Sequence, residues 1–213
     1  MENPTGRLDA RRRAPAWAIV AALLVAGMLP AVPAVSAPAT VAPADRPIIA
    51  VAEFYSPGAP PISVVTDLES YAADVLTGLL VRGGGSALTV LPRGEVRGAE
   101  RSLGWHAQDA LNYSRLGALA QALHADRVML GWITRVSLFR QDVLVFNADA
   151  ALNMQMFDAR QGRIVWQHGT DGYGLAGFPD FAAQIAVERA LARGLSAAVA
   201  AASAPVDRTA PAP

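Results

Sequence analysis

The spacing of apolar residues changes period once, abruptly, within Leu111 to Val136 (LNYSRLGALAQALHADRVMLGWITRV). Leu116, Leu119, Ala120 and Leu123 recur at the three-and-four spacing of an amphipathic helix. Val128, Leu130, Trp132, Thr134 and Val136 recur every second residue, as in a strand. The break falls at His124-Ala125-Asp126. A helix that lays its stripe on the sheet its own chain enters next predicts a helix-on-sheet layer, to which the other segments are added.

Upstream, Ile48 to Phe54 is a nearly continuous apolar run, the pattern of a strand covered on both faces, and Pro57 to Pro61 forces a loop. Thr66 or Asp67 can cap the helix that follows. Its stripe is Leu68, Tyr71, Ala72, Val75 and Leu79, and Gly83-Gly84-Gly85 ends it. The triple glycine follows a helix and precedes the Ala87 to Leu91 strand, the reverse of the strand-loop-helix order of a phosphate cradle. Pro92 to Gln108 reads as a long polar connection with room for a helical turn.

Downstream, Phe139 to Val143 turns the chain back. Leu144, Phe146, Ala148, Ala150, Leu152, Met154 and Met156 alternate with Asn147, Asp149, Asn153 and Gln155, which predicts a long antiparallel strand with one wet face. Asp158 to Arg163 is a second hairpin and Ile164 to Gln167 the last strand. Gly169 to Gly177 reads as a flexible exposed loop. Pro179 opens a final helix whose Phe181, Ile185, Leu191, Leu195 and Val199 cover the sheet, while Glu188, Arg189 and Arg193 stay wet. The expected fold is therefore α+β (α/β): a mixed five-stranded sheet with helices packed on it.

At the amino terminus, Arg11-Arg12-Arg13 precede an apolar run from Ala16 to Leu29, the charged-then-apolar order of an export signal. At ~1.5 Å per residue the run reaches roughly 21 Å, short of a ~30 Å hydrocarbon core, and Pro30 and Pro33 block its extension. Small-x-small patterns place cleavage after Ala34, Ala37 or Ala39. The reading is a signal peptide over 1–39, a proline-rich linker over 40–46, one α/β domain over 47–203 and a disordered tail over 204–213. A periplasmic protein with no membrane span after cleavage is expected.

Composition narrows the chemistry. Every one of the 18 basic residues is arginine, so a phosphate-loop lysine, a Schiff base and a lysine general base are excluded. Removing residues 1–39 leaves 14 basic against 16 acidic residues, a net of about minus two, which argues against nucleic acid as a partner. Cysteine is absent, which excludes disulfides, a thiolate nucleophile, a cysteine metal site and a lipid-modified cysteine.

With Ile48 to Phe54 first, Leu88 to Pro92 (LTVLP) second, LGALAQALHADRVMLGWITRV third and MFDARQGRIVW closing the meander, the chain resembles the amino-terminal domain of TolB over about residues 47–200. It also resembles the related curli-secretion (CsgG-like) family. The shared features are the junction from Leu116 to Gly131 and the hairpin from Asp158 to Ile164. A TolB protein continues into a β-propeller, and curli-type pores carry long membrane-crossing hairpins. This sequence shows neither. The resemblance implies a domain that docks onto other envelope proteins, and it transfers no catalytic residue.

The candidate chemistry is sparse. His106, His124 and His168 fall on a loop, a helix end and a strand, without an HxxxH pair or a glycine-flanked serine elbow. Asp126 and Asp158 suit a junction and a hairpin, where a short acceptor satisfies local backbone donors. Glu53 and Asp149 form a conceivable carboxylate pair, and Met154 and Met156 read as core packing. No catalytic set, metal site or cofactor site is predicted. Trp105, Tyr173 and Phe178, in or beside loops, are the candidate partner-binding residues. The leading expectation is a non-catalytic adaptor or assembly protein with envelope proteins as partners. The alternative is a small-molecule binder or hydrolase using Gly169 to Gly177, in which His168, Asp171 and Glu53 would converge on a pocket.

Overall fold

The computed structural model describes residues 46–57 and 67–206. The expected signal peptide, the linker before Arg46 and the tail beyond Val206 lie outside the described residues. Strand β1 (Ile48–Val51) leads into helix α1 (Leu68–Gly84) and strand β2 (Thr89–Val90). Helix α2 (Arg93–Ser102), a short 3-10 turn (Ala107–Leu111) and helix α3 (Tyr113–Ala122) then return the chain to strand β3 (Arg127–Asp142). Strands β4 (Val145–Asp158) and β5 (Arg163–Ala176) and helix α4 (Pro179–Ser203) complete the fold. It is the expected α+β architecture, with sheet order β2-β1-β3-β4-β5, parallel between β2, β1 and β3 and antiparallel from β3 to β5.

Both faces of the sheet are covered around β1 and the start of β3. Ile49, Val51, Met129 and Ile133 pack against α1 and α4, whereas Ala50, Ala52, Val128 and Leu130 pack against α2 and α3. The continuous apolar run at Ile48 has this cause. Leu116, Leu119 and Ala120 of α3 are buried against Leu130 and Phe157, as the helical spacing predicts. Helix α3 ends where His124 takes a left-handed backbone, φ 50°, a conformation that closes helices but is more often given to glycine.

The strand expected to present Val128 through Val136 on one face does not do so. A register shift between Ile133 and Arg135 inserts Thr134 as an extra residue, whose hydroxyl donates to the Ala151 carbonyl (3.0 Å). The bulge exchanges the faces, so Val136 joins the core on the α1/α4 side while Val128 and Leu130 belong to the other.

Four further expectations need correction. The polar stretch after Pro92 is a helix, α2, which buries Val96 and Glu100, leaves Arg97 and Arg101 exposed, and tucks the side chain of Arg93 inward against Glu100 and the Val51 carbonyl. The stripe of α1 is rotated, with Ala72, Ala73, Leu76 and Leu80 fully buried and Leu68, Tyr71, Val75 and Leu79 only flanking them. Helix α4 covers the sheet through Ala182, Ala183, Ala186, Val187, Ala190, Leu191 and Ala198, while Phe181 is exposed. Finally, Gly169 to Gly177 is not a loop, because β5 runs unbroken to Ala176.

The last two corrections share one cause. A Cβ on Gly174 would fall on the Ala182 carbonyl oxygen, and one on Gly172 on that of Ala186. Glycine in β5 and alanine in α4 are what let the helix lie directly on the strand. The glycines that mimic a loop signal are close-approach positions. Across the far end of this layer, Arg127 is buried and its Nη1 donates to the carbonyls of Ala201 and Ala202 (both 2.8 Å), closing the last turn of α4.

Two stability predictions result. Gly174→Ala is expected to cost more than about 3 kcal/mol, because backbone rather than a flexible side chain occupies the space. Gly98→Ala, at a half-buried position of α2 where a Cβ meets nothing within 4 Å, should stabilise by about 0.5–1 kcal/mol. Thermal melts with opposite shifts support this packing, and equal shifts refute it. Arg127→Leu should cost about 3–5 kcal/mol in urea unfolding, since it leaves buried Asp158 without its cation, and Arg127→Leu/Asp158→Leu should recover part of the loss.

Candidate functional site

Seven of the eleven exposed large apolar side chains among the described residues collect around the β3–β4 hairpin and the adjoining ends of β5 and α4. The β3–β4 hairpin tip carries Val143 and Leu144, 70 % and 76 % exposed. The tip is held by local bonds: Val143 N–H donates to Asp142 Oδ1 (2.6 Å), and Arg140 Nη2 donates to the Val143 carbonyl (2.9 Å). The β4–β5 register pairs Phe146 with Ala176, and a Cβ on Gly177 would lie 3.7 Å from the Leu144 carbonyl oxygen, so the start of α4 comes beside the tip. There Phe178 and Phe181, 66 % and 57 % exposed, meet edge to face with ring centroids 6.1 Å apart.

The patch continues along the sheet face opposite α4. Phe139, Asn147 and Leu175 stand in one cross-strand row and Ser137, Asp149 and Tyr173 in the next. Phe139, Leu175 and Tyr173 are exposed, and the Tyr173 hydroxyl donates to Asn147 Oδ1 (2.8 Å). An exposed apolar surface rimmed by polar groups is the signature of an interaction site.

Of the three aromatic candidates, Tyr173 and Phe178 belong to this patch. Trp105 does not: the chain after α2 folds it into the buried cluster that also holds Val96 of α2 and Leu116 of α3. The sequence pattern places the other members differently: Phe139 and Val143 in a turn, Leu144 on the apolar face of the long strand and Phe181 on the sheet-covering face of the last helix, whereas all four are exposed. The hairpin tip carries the one signal that could have found them, two consecutive apolar residues where turns are ordinarily polar.

The groups of the alternative catalytic reading do not converge. His168 lies on the α4 side of β5, stacked on Trp166 (5.8 Å between ring centroids), and Asp171, on the opposite face, pairs with Arg193 (2.8 Å). Glu53 stands beyond the end of β1, where its Oε1 accepts from the Ser70 hydroxyl (3.1 Å). Asp149 is paired across the sheet with Ser137 and Tyr173, on another strand from Glu53. Met154 and Met156 are fully buried core residues. His124 borders an open groove of about 750 Å³ between α3 and the β4–β5 turn, lined also by Gly117, Gln121, Asp126 and Arg160. Among the described residues, no group of three or more histidines and carboxylates could hold a metal ion.

A charged cluster does form at the end of β1, around a residue that sequence reasoning passed over. Glu100 is buried; its Oε1 accepts from Glu53 N–H (2.8 Å) and its Oε2 lies 3.7 Å from Arg93 Nη1. Arg93 Nη1 also donates to the Val51 carbonyl (2.7 Å). Burial pushes the Glu100 carboxyl above its ordinary value, against the opposing pull of the Glu53 N–H and Arg93. Burial and the charge of Glu53 likewise raise Glu69. The i, i+4 spacing of Val96 and Glu100 would have placed the carboxylate on the buried face, had α2 been recognised as a helix. The cluster joins the end of β1 to the first turn of α1 and to both ends of α2, through Arg93 and Glu100.

No protein-family profile matches the chain, and no curated protein is similar to it at a significant level. Solved structures are. Lipoprotein GNA1162 from Neisseria meningitidis has a TM-score of 0.50 at 17% identity, covering 73% of this chain and 96% of that one. Protein CT253 from Chlamydia trachomatis has a TM-score of 0.47 at 15% identity, over 75% and 98% of the two chains. The LpoB C-terminal domain from Salmonella enterica has a TM-score of 0.39 at 18% identity, over 60% and 82%. The likeness is one of fold. Among the described residues, no helix is long and apolar enough to cross a membrane.

The raised Glu100 predicts a specific pH dependence. The folded state holds its proton more firmly than the unfolded chain. The stability this confers is therefore fully present below the ordinary glutamate value of 4.5, and it is lost as pH rises through the raised folded value. Glu100→Gln, which keeps an acceptor for Glu53 N–H, should remove this part of the dependence. Urea midpoints measured from pH 4 to 8 should show the parent gaining on the variant toward acid. Parallel curves would refute it.

Proposed function

We propose that this chain is an exported, non-catalytic adaptor or assembly protein of the cell envelope. In this reading it is built on a domain of the TolB amino-terminal type and acts in the periplasm after loss of residues 1–39. It works through protein–protein contacts made at the patch of Leu144, Phe178, Phe181, Phe139 and Tyr173. The observation that carries the reading is the concentration of exposed apolar groups at the hairpin end, on elements whose backbones are fixed by sheet pairing and by the α4 contact. A rigid apolar anchor gains more from partner contact than a mobile one, because less side-chain freedom is lost on binding. The separation of His168, Asp171 and Glu53 supports the non-catalytic side of the proposal, and the rival reading loses the loop on which it rested.

The test is quantitative co-purification of envelope proteins with the full chain. Leu144→Ser/Phe178→Ala/Phe181→Ala should weaken partner capture about thirtyfold, as removal of ~2 kcal/mol of anchoring requires. His168→Ala/Glu53→Gln should capture as the parent does. Loss of cellular function in the second variant, with circular dichroism unchanged, would overturn the adaptor reading.

A further inference from the structure

Among the described residues, strand β5 is the long free edge of the sheet, fourteen residues with a neighbour on one side only. In an antiparallel ladder alternate residues turn both backbone groups to opposite sides. Arg189 Nη1 donates to the Tyr173 carbonyl (2.8 Å) and Arg193 Nη1 to the Asp171 carbonyl (2.9 Å), so these carbonyls face outward. By the same parity Gly169 and Leu175 present their backbone groups on that side. Exposed edges invite a further strand, and charged side chains placed on them discourage it. Here the two arginines reach round from α4 and occupy the outward carbonyls at a spacing of two residues.

Three features make this occupation exchangeable rather than permanent. Both bonds are solvent-exposed, and the Arg193–Asp171 pair is 59 % and 76 % exposed, so screening leaves them weak. Arg189 makes no ion pair among the described residues, so a carboxylate arriving at the edge would give it a better acceptor than a carbonyl. Asp171 at this edge is already held by Arg193, which leaves Arg189 as the unmatched charge among the described residues. On the other face of the same edge, Tyr173 and Leu175 are exposed and apolar.

We propose that the β5 edge is a strand-addition site for an extended partner segment that alternates acidic and apolar side chains. The acidic residues meet Arg189 and Arg193, the apolar ones cover Tyr173 and Leu175, and the partner's N–H groups replace the arginines on the outward carbonyls. The inference rests on the adaptor reading and names the chemistry of one partner segment.

The probe is a fluorescent, end-blocked octapeptide of alternating valine and glutamate, titrated against the full chain at low salt. Two octapeptides serve as controls: one alternates valine with lysine, and the other places all its valines before all its glutamates. Saturable binding of the alternating valine–glutamate peptide, at least tenfold tighter than either control, is expected. Arg189→Glu should weaken it at least tenfold. Gly169→Pro, which removes an outward N–H and no ladder bond, should abolish it with the melting curve retained; Arg189→Glu, a surface change, serves where the proline variant does not fold. Absence of saturation up to millimolar peptide, equal binding of the two charge types, or indifference to both variants overturns the proposal. Envelope capture that is lost on removing the Phe178/Phe181 patch but untouched by Gly169→Pro and Arg189→Glu would overturn strand addition while leaving the adaptor reading in place.

Discussion

A buried guanidinium holds this fold together. Arg127 and Asp158 sit at the junction of β3 and β4, almost wholly out of water, with Arg127 Nε 3.6 Å from Asp158 Oδ2. Burial of two charges is costly and is offset only if their remaining donors and acceptors are occupied. Most of them are: Arg127 bonds three carbonyls at the end of α4, including Pro205 (3.2 Å), and Asp158 accepts the N–H groups of Arg160 and Gln161 (both 3.0 Å), while Arg127 Nε faces Asp158 across the ion pair without a hydrogen bond. The neighbouring Asp126 exchanges bonds with Ile48 through its own N–H and its carboxylate (both 2.9 Å). Two consecutive charged residues thereby connect β1, β3, the β4–β5 turn and the carboxyl end of α4.

Fixing α4 at that end determines what the opposite end exposes. The helix runs back along β5 on glycine-to-alanine contacts, and its first residues arrive beside the hairpin tip with Phe178 and Phe181 uncovered. On the other face, α2 and α3 cover β1 and the first part of β3 and stop there, so the far halves of β3, β4 and β5 are bare. The candidate interaction patch and the free edge of β5 are consequences of the same mismatch: strands of fourteen to sixteen residues outrun the helices packed on one side of them. The proposed docking end is remote from the buried charges that stabilise the fold. Changes at one should leave the other intact.

The pattern of polar and apolar residues by itself determined the strand order, the helices α1, α3 and α4, the mixed five-stranded sheet, and the placement of Leu119 and Leu130 in one helix-sheet interface. Periodicity reports which face of an element is buried, and those faces are set locally. The role of Asp158 as a local backbone acceptor was legible for the same reason, because a short carboxylate bonds its own neighbourhood, whereas Asp126 accepts not from a local donor but from Ile48 N–H on β1, 78 residues away in sequence. Of the candidate site, Tyr173 and Phe178 could be read and Phe139, Val143, Leu144 and Phe181 could not.

What only the tertiary structure decided depends on partners distant in sequence. Gly172 and Gly174 carry a loop signal until α4 lies on them. Trp105 is a surface aromatic until α2 turns it inward, and Phe181 is a core residue until alanines supply a closer packing surface. Thr134 keeps perfect alternation in the sequence while its bulge reverses the faces of β3, because parity is set by pairing with Ala151 across the sheet. Arg127 reads as one more polar residue beside a strand. Only the return of α4, more than seventy residues later, supplies the carbonyls that make it the centre of the fold.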